Sequence, residues 1–323
     1  MAKLTIQKES MSTATHWSKT KERGSYLGLK FLFAVVSLFG QRICSVFLFP
    51  ITLYFYATGS NARKASKKFL TYHQEFCKSQ KIETKPLKPW SVLFHFYEFS
   101  LAGLDKVNVW QNKIKREDVT IVFENDCQNI IESNIGFVAI GSHLGNIEII
   151  RALTPKRKNL IMNAIVYTDH ARNFNDLLKS INPDANLRII QVRDISIDTS
   201  IMLKQKIDDG EAFTILADRI PDTVKNRYLN ISFLGHSAAF PQGPFILASL
   251  MECPVLTAFC IKTKPGKYTL YIKKLTDKML LDRKNREASL LPYMTEFVKQ
   301  LEHHSVANPT QWYSFFDFWE SKN

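Results

Sequence analysis

The sequence predicts an α/β fold with a mixed, largely parallel central sheet flanked by helices, preceded by an N-terminal helical region that contacts a membrane. From about residue 107 onward, short apolar runs alternate with helical patterns. Strands that alternate with helices of this length form parallel sheets in α/β domains. The first hundred residues are instead helical in pattern and rich in aromatic side chains. A chain of 323 residues with 45% hydrophobic content is also long enough to bury a substantial core.

Composition divides the chain into three parts. Residues 1–26 form a polar N-terminal segment that lacks the apolar stretch of a signal peptide. Residues 27–106 are apolar and amphipathic helices of a membrane-associated region, and residues 107–323 form the α/β core.

Residues 27–57 are the most apolar part of the chain. A Gly-Gln-Arg sequence at 40–42 interrupts them near the middle, and Pro50 lies in the second half. Each half is shorter than the roughly 20 apolar residues that a membrane span needs. We therefore expect two short helices that dip into one leaflet, with the basic residues between 63 and 68 at the lipid headgroups. The alternatives are a pair of helices buried in a soluble core and a single tilted span.

The remaining elements follow from hydrophobic periodicity. Apolar residues at intervals of three or four predict helices at 60–82 and 90–106. The predicted strands are Val119–Phe123, Ile135–Ile140, Asn159–Val166, Leu187–Gln191, Ala212–Leu216, Tyr228–Phe233, Val255–Ile261 and Tyr268–Ile272. The predicted helices between them are 124–133, 146–153, 171–181, 196–208 and 242–252. Ligands of such sheets bind at the carboxyl ends of the strands, and His143 and Asp218 both follow predicted strands directly.

A histidine and a glutamate lie in the turn after the strand at 135–140, where residues 141–148 read GSHLGNIE. In one continuous helix, two residues five apart would be separated by about 140° and would not share a face. With a loop between them, Glu148 can reach back and hydrogen-bond the His143 imidazole. This contact fixes the tautomer and makes the other ring nitrogen a better base. The pair therefore suits a general base that activates a substrate hydroxyl; the alternative is an ordinary turn between core elements.

The charge and the cysteines limit the function classes. A net charge of +13 attracts anionic surfaces, namely phospholipid headgroups, nucleic acid or an acidic protein. The basic clusters lack interleaved base-stacking aromatics, which disfavours nucleic acid. The five cysteines show no C-x-x-C pair, as is typical of reduced thiols in a cytosolic compartment without a structural zinc site. Neither a G-x-G-x-x-G motif nor a P-loop is present.

Four ordered blocks resemble one enzyme family. SHLGNIE (142–148) resembles the H-x4-D/E signature of lysophospholipid and glycerolipid acyltransferases, and more closely the H-x-G-N-x-E form of the late (secondary) lipid A acyltransferases. Further blocks resemble that family at FTILADRIP (213–221), ISFLGHSAAFPQGPFILASLMECPVLTAF (231–259) and QWYSFFDFW (311–319). Near the start, KERGSYLGLKF and LYFYATGSNARKASKKFL resemble a bacterial subgroup linked to aryl-polyene or related lipid pigment pathways.

The resemblance implies a membrane-associated O-acyltransferase at the cytoplasmic face of the bacterial inner membrane. His143 would be the general base and Glu148 its orienting carboxylate, and Asn146 or nearby backbone N–H groups would contact the substrate oxyanion. The donor would be an acyl-carrier-protein or CoA thioester, and the acceptor a hydroxyl of a membrane lipid or lysolipid. Neither a metal nor a cofactor is implied.

Three further residues are substrate-binding candidates through the resemblance. Asp218 and Arg219 match the second block by position, although lipid A members more often have Asp-Gln there. The alternative for them is a surface ion pair or a turn, while Arg219 could contact a phosphate. Asn175 matches an asparagine of the family, but Thr168-Asp169 stand where a basic residue is expected. That departure argues against a lipid A acceptor.

Two other functions remain open at this point. The first is a serine-type lipid hydrolase or thioesterase with Ser142 as nucleophile. It lacks a G-x-S-x-G motif, and adjacent Ser and His rarely form a working pair. The second is a non-catalytic lipid- or nucleic-acid-binding protein that uses the positive charge. For a transferase, the same charge would speed the docking of an acidic carrier protein and hold the enzyme at anionic lipids.

Overall fold

Three helices precede the first strand in the computed structural model, which describes residues 26–111, 113–150, 160–166, 187–191, 197–220 and 227–319. They are α1 (Tyr26–Thr58), α2 (Ser60–Ser79) and α3 (Ser91–Trp110). The prediction of two short helices within 27–57 is wrong, because α1 continues through residues 40–42 and through Pro50. Gln and Arg are good helix formers, and a single Gly costs a helix only about 1 kcal/mol.

One face of α1 packs against α3. Cys44, Leu48 and Thr52 recur every four residues and are buried. The Thr52 hydroxyl shares a hydrogen bond of 2.8 Å with that of Ser100 on α3. Of the described helices, none alone meets the length and hydropathy required of a membrane span; Ile43–Thr58 and α2 meet them together, as a pair bent by 95°.

A seven-stranded sheet forms the centre of the fold. Its strands are β1 (Val119–Glu124), β2 (Phe137–Gly141), β3 (Met162–Val166), β4 (Leu187–Gln191), β5 (Ala212–Leu216), β8 (Val255–Lys264) and β9 (Lys267–Thr276), and a separate hairpin consists of β6 (Tyr228–Phe233) and β7 (His236–Pro241). The order across the sheet is β1-β9-β8-β2-β5-β3-β4. The neighbours from β8 to β4 run parallel, whereas β9 is antiparallel to β8 and parallel to β1. The predicted fold class is confirmed.

Helices cover both faces of the sheet. After α3 they are α4 (Cys127–Glu132), α5 (Ile197–Asp208), α6 (Gly243–Leu250) and α7 (Arg286–Ala307), with short 3-10 helices at Arg116–Asp118 and Pro309–Gln311. The hydrophobic pattern of the sequence does not predict β7 or α7. The predicted helix at 171–181 lies outside the described residues, and the described part of the one at 146–153 is a 3-10 turn at 147–150.

Strand β2 lies between two apolar layers and is buried along its whole length. Val138 and Ile140 belong to one hydrophobic cluster, while Phe137 and Ala139 belong to the other. This alternation arises because successive side chains of a strand point to opposite faces. Helix α7 supplies much of the first cluster, and the buried centre of the sheet holds the ends of β2 and β5 in place.

Candidate active site

His143 and Asp218 meet because their strands are neighbours in register. Strands β2 and β5 pair in parallel with Gly141 opposite Leu216. The Ala217 amide donates to the Gly141 carbonyl at 2.9 Å, which continues the pairing one residue beyond the strands. The next side chains therefore emerge together, and Nδ1 of His143 lies 2.7 Å from Oδ1 of Asp218.

Within the described part of the chain, the Asp218 carboxylate accepts hydrogen bonds from three donors. Oδ1 accepts from the His143 ring, while Oδ2 accepts from the His143 backbone amide at 2.9 Å and from the Trp312 indole Nε1 at 3.0 Å. The Asp218 side chain is 1% exposed and that of His143 is 29% exposed. Since an ionised carboxylate only accepts hydrogen bonds, Nδ1 carries the ring proton and Nε2 presents a lone pair.

Burial and the surrounding charges together set the protonation state of the pair. Burial raises the pKa of Asp218, but the charge and hydrogen bonds of His143 and the charge of Arg219 outweigh it and lower the pKa to about 2. Burial lowers the pKa of His143, and the charges of Arg219 and Lys106 add to this effect against the opposing influence of Asp218. At neutral pH the carboxylate is thus ionised and the imidazole neutral, as a general base requires.

Gly145 is required by the close approach of the turn to strand β8. Its φ of +68° is unfavourable for other residues, and a Cβ at this position would overlap the Cys260 carbonyl oxygen. The Gly145 backbone amide donates to the Gln311 carbonyl at 2.8 Å, and the Asn146 backbone amide donates to the Cys260 carbonyl at 2.9 Å. The glycine of the signature therefore reflects backbone packing.

Asn146 is buried beside this contact. Its Oδ1 accepts a hydrogen bond from the Glu148 amide at 3.3 Å. Its Nδ2 is buried and has no hydrogen-bond partner within the described part of the chain. An unsatisfied buried donor costs about 1–3 kcal/mol, so this N–H retains the capacity to donate one further hydrogen bond.

The structure places a different carboxylate on Nδ1 from the one expected. Glu148 lies half-buried in the 3-10 turn at 147–150, whereas the carboxylate at Nδ1 belongs to Asp218. The neighbouring strand delivers Asp218 directly to the ring, and burial excludes the surface ion pair considered for it. The catalytic roles of His143 and Glu148 stay predictions.

Arg219 joins the loop after β5 to the C-terminal segment, residues 311–319. Its Nη2 donates to the Tyr313 carbonyl at 2.8 Å, and its guanidinium lies 5.5 Å from the centre of the Phe316 ring. A phosphate contact for Arg219 stays a prediction. Asn175 lies outside the described residues.

The C-terminal segment forms one wall of the site. Trp312 is fully buried and pairs with Leu144 in a β-bridge, and the Tyr313 amide donates to the His143 carbonyl at 3.2 Å. The contact between Trp312 and Asp218 was not predicted from the sequence. The aromatic density of QWYSFFDFW was the available signal, but it does not identify a hydrogen-bond partner.

The described residues offer little support for a serine nucleophile or a metal site. Ser142 is buried, and its hydroxyl accepts a hydrogen bond from the Leu144 amide at 3.2 Å. Across the described ranges, no group of three or more His, Cys, Asp or Glu residues is arranged to hold a metal ion. All five cysteines are free and buried.

Comparison with known proteins identifies the family. No curated protein matches the chain significantly. The profile of the family described as bacterial lipid A biosynthesis acyltransferase matches residues 11–321, which is nearly the whole chain. The match does not address the aryl-polyene subgroup, which stays a prediction. The enzymes of the matched family transfer acyl groups to lipids, and this chain belongs to the bacterial lipid A biosynthesis acyltransferase family.

Proposed function

We propose that this protein is a membrane-associated O-acyltransferase that moves an acyl chain from a thioester to a lipid hydroxyl, with His143 as general base. The observation that carries the proposal is the hydrogen bond between Asp218 and Nδ1 of His143. It orients a neutral, partly exposed imidazole whose other nitrogen is available to a substrate.

The reaction needs one proton to be held temporarily. Nε2 of His143 removes the proton of the acceptor hydroxyl as the hydroxyl oxygen attacks the thioester carbonyl carbon. The carbonyl oxygen becomes an oxyanion, to which Asn146 Nδ2 donates in our proposal. The C–S bond then breaks, and the departing sulfur takes the proton from Nε2, which leaves an ester and a thiol. Asp218 stabilises the intermediate imidazolium, as the aspartate of a serine triad does.

Glu148 keeps its proposed catalytic role as a second carboxylate, in the turn that also carries His143. Its contribution can be separated from that of Asp218 because each carboxylate has an amide isostere. We expect Asp218→Asn to lower kcat about a hundredfold or more, since the neutral amide cannot stabilise the imidazolium. Glu148→Gln tests whether the second carboxylate is also needed.

The decisive experiment compares His143→Ala, Asp218→Asn and Glu148→Gln in an acyl-transfer assay with membranes and a thioester donor. His143→Ala should lower turnover by about a hundredfold to ten-thousandfold. A folded His143→Ala enzyme with wild-type turnover would falsify the proposed function. If Glu148→Gln abolishes transfer while Asp218→Asn does not, the orienting role belongs to Glu148.

Exposed apolar side chains support membrane association. Those on the second half of α1 are Ile43, Val46, Phe47, Phe49, Ile51, Leu53, Tyr54 and Phe55, and Phe94 and Phe99 on the adjacent α3 are also exposed. Contiguous apolar surface of this kind is unfavourable in water and marks an interaction site. We propose that it contacts the cytoplasmic face of the bacterial inner membrane, where basic residues of α2 such as Lys64 and Lys67 meet anionic headgroups.

We propose a membrane lipid or lysolipid as the acceptor and an acyl-carrier-protein or CoA thioester as the donor. The net charge of +13 supports an acidic carrier protein, because charge attraction speeds docking. Added salt should then raise KM for the carrier-protein donor more than for a CoA donor. A thioester-hydrolysis assay without acceptor tests the serine-hydrolase alternative, which the burial of Ser142 disfavours.

A further inference from the structure

We propose that Trp312 is a positioning residue of the active site, whose indole N–H holds Asp218 in the orientation that fixes the His143 ring. This inference rests on the proposed function, because it concerns the same histidine and carboxylate.

The indole is the donor that reaches Asp218 from farthest along the chain. It comes from 94 residues away and lies 3.0 Å from Oδ2, whereas the other two donors both belong to His143. With the indole in place, Oδ2 is held by two donors and Oδ1 is directed at the ring. Without it, the carboxylate loses the one hydrogen bond among the described residues that is independent of the histidine it must orient.

The Trp312 ring is held rigidly by other aromatic rings. Its centre lies 4.8 Å from that of Phe69, 5.1 Å from that of Phe233 and 4.9 Å from that of Phe318, all in edge-on geometry. Edge-to-face pairs of this spacing are favourable beyond the area that they bury. Trp312 is fully buried among them, so its N–H points in one direction only.

The backbone of Trp312 is fixed as well. Its carbonyl accepts a hydrogen bond from Nε2 of the buried His95 on α3 at 3.0 Å, and Nδ1 of His95 lies 2.8 Å from the Ser66 hydroxyl on α2. A chain of buried hydrogen bonds thus leads from α2 and α3 through Trp312 to Asp218 and His143. Trp312 is therefore one of the links through which the N-terminal helices support the site.

Trp319 provides a matched control. It belongs to the same C-terminal segment and also packs on Phe69 and Phe233, with ring centres 6.5 and 5.8 Å away. Its indole N–H, however, points to the Phe233 carbonyl at 3.4 Å and not to Asp218. Substitution of either tryptophan by phenylalanine removes one indole from the cluster, but only Trp312→Phe removes a donor from the carboxylate.

The charged surroundings determine the expected pH effect. Among the described residues, the charged groups that act on the His143–Asp218 pair are Lys106 from α3 and Arg219 from the loop after β5. The neighbouring segments also carry Glu148, in the turn after β2, and Tyr313, whose backbone amide contacts the His143 carbonyl. Burial lowers the pKa of His95, behind Trp312, to about 4, so that residue stays neutral near pH 7. When Asp218 loses the indole donor, its charge acts more strongly on the imidazolium and raises the pKa of His143.

We therefore expect two changes in Trp312→Phe. The value of kcat falls about tenfold to a hundredfold, as is typical for loss of a hydrogen bond to a charged group. KM stays within about twofold, because the indole touches no substrate. The acid limb of kcat/KM moves to higher pH, since His143 is protonated more easily. Trp319→Phe should leave both the limb and kcat unchanged.

A second variant removes the risk of misfolding. Benzothienylalanine at position 312 keeps the shape of tryptophan but has sulfur in place of the N–H, and it should give the same loss and the same limb shift. In an Asp218→Asn background, Trp312→Phe should cause no further loss of kcat, because a residue that acts through Asp218 has nothing left to position.

Three results would overturn the inference. The first is a folded position-312 variant with wild-type kcat and acid limb. The second is a further loss of kcat by the same factor in the Asp218→Asn background. The third is a loss of kcat with an unmoved limb, which indicates a structural role only. None of these three results contradicts the proposed function. The proposed function fails instead if the His143→Ala enzyme retains acyl transfer.

Discussion

The two ends of the described chain are both rich in aromatic residues, yet they place them in opposite environments. The second half of α1 exposes Phe47, Phe49 and Phe55, whereas the C-terminal segment buries Trp312 and Phe318. A helix satisfies its own backbone hydrogen bonds and can present apolar side chains to lipid on any face. The irregular C-terminal backbone pairs with Gly145, His95 and Arg219 instead, and it must therefore lie inside the protein. Aromatic content alone does not separate the two cases, but backbone hydrogen bonding does.

The largest expected difference between the two ends is in stability. Phe318→Ala removes a ring that is 5% exposed and packs on Phe233, Phe240 and Trp312. We expect it to lower the free energy of unfolding by about 3–5 kcal/mol. Phe47→Ala, at a position that is 63% exposed, should change it by less than about 0.5 kcal/mol. Urea unfolding of the two variants in detergent measures both; equal losses would contradict the comparison.

Membrane binding should depend on the exposed aromatic residues of α1, which contribute little to stability. Phe47→Ser removes an apolar group from the proposed lipid-facing surface and should weaken binding to anionic vesicles by about tenfold or more. Leu250→Ser is the control, because Leu250 is 47% exposed but lies at the end of α6. Cosedimentation with vesicles that contain anionic phospholipid is the measurement. If both variants bind as the wild type does, α1 is not the membrane-contacting surface.

His95 on α3 hydrogen-bonds the C-terminal segment at Trp312, and it should make the stability of the folded protein sensitive to acid. Burial lowers its pKa to about 4, against the opposing effect of its hydrogen bond to Trp312. Between pH 6.5 and 4 the unfolded state therefore binds a proton that the folded state does not, and stability falls as the pH falls, by at most about 1.4 kcal/mol per pH unit. His95→Gln should flatten this dependence in unfolding midpoints measured at pH 7 and pH 5. Some slope should persist, because burial also lowers the pKa of His304 to about 4; an unchanged slope would contradict the assignment to His95.

The smallest effect is expected at the surface contact between the ends. Lys68 on α2 and Asp317 form an ion pair of 2.8 Å, with side chains 32% and 37% exposed. We expect Lys68→Ala to cost less than about 1 kcal/mol and the cost to vanish in high salt. A double-mutant cycle with Asp317→Ala measures the coupling, and a coupling that persists at 1 M salt would contradict its placement at the surface.

The sequence predicted the parts of the fold in which local pattern and burial agree. Strands β4, β5 and β6 have the predicted bounds, since their apolar runs are bounded by turn residues. Strand β7 could not be predicted from hydrophobic pattern, because HSAAFP contains small and polar residues. The hairpin of β6 and β7 depends on the turn at Leu234 and Gly235, where both residues have positive φ. Residues 40–42 do not interrupt α1, because one glycine does not end a helix.

In the candidate site too, local features could be predicted from the sequence and long-range contacts could not. His143 and the turn that carries it could be predicted from the local motif. The partner on Nδ1 could not, because Asp218 lies 75 residues away and reaches the ring only through the register of two strands. The H-x4-D/E resemblance and the short spacing both point to Glu148, whereas the pairing of β2 with β5 places Asp218 on the ring. Trp312 is more remote still and could be found only from the packed structure.

The contact between Trp312 and Asp218 also has a consequence for synthesis on the ribosome. About 170 residues separate His143 from Trp312, and translation at roughly 5–20 residues per second takes about ten to thirty seconds to cover them. During that interval the nascent chain already exposes α1 outside the ribosome, but His143, the proposed general base, lacks the indole that completes its surroundings. The proposed membrane-contacting surface is therefore made before the enzyme can be active.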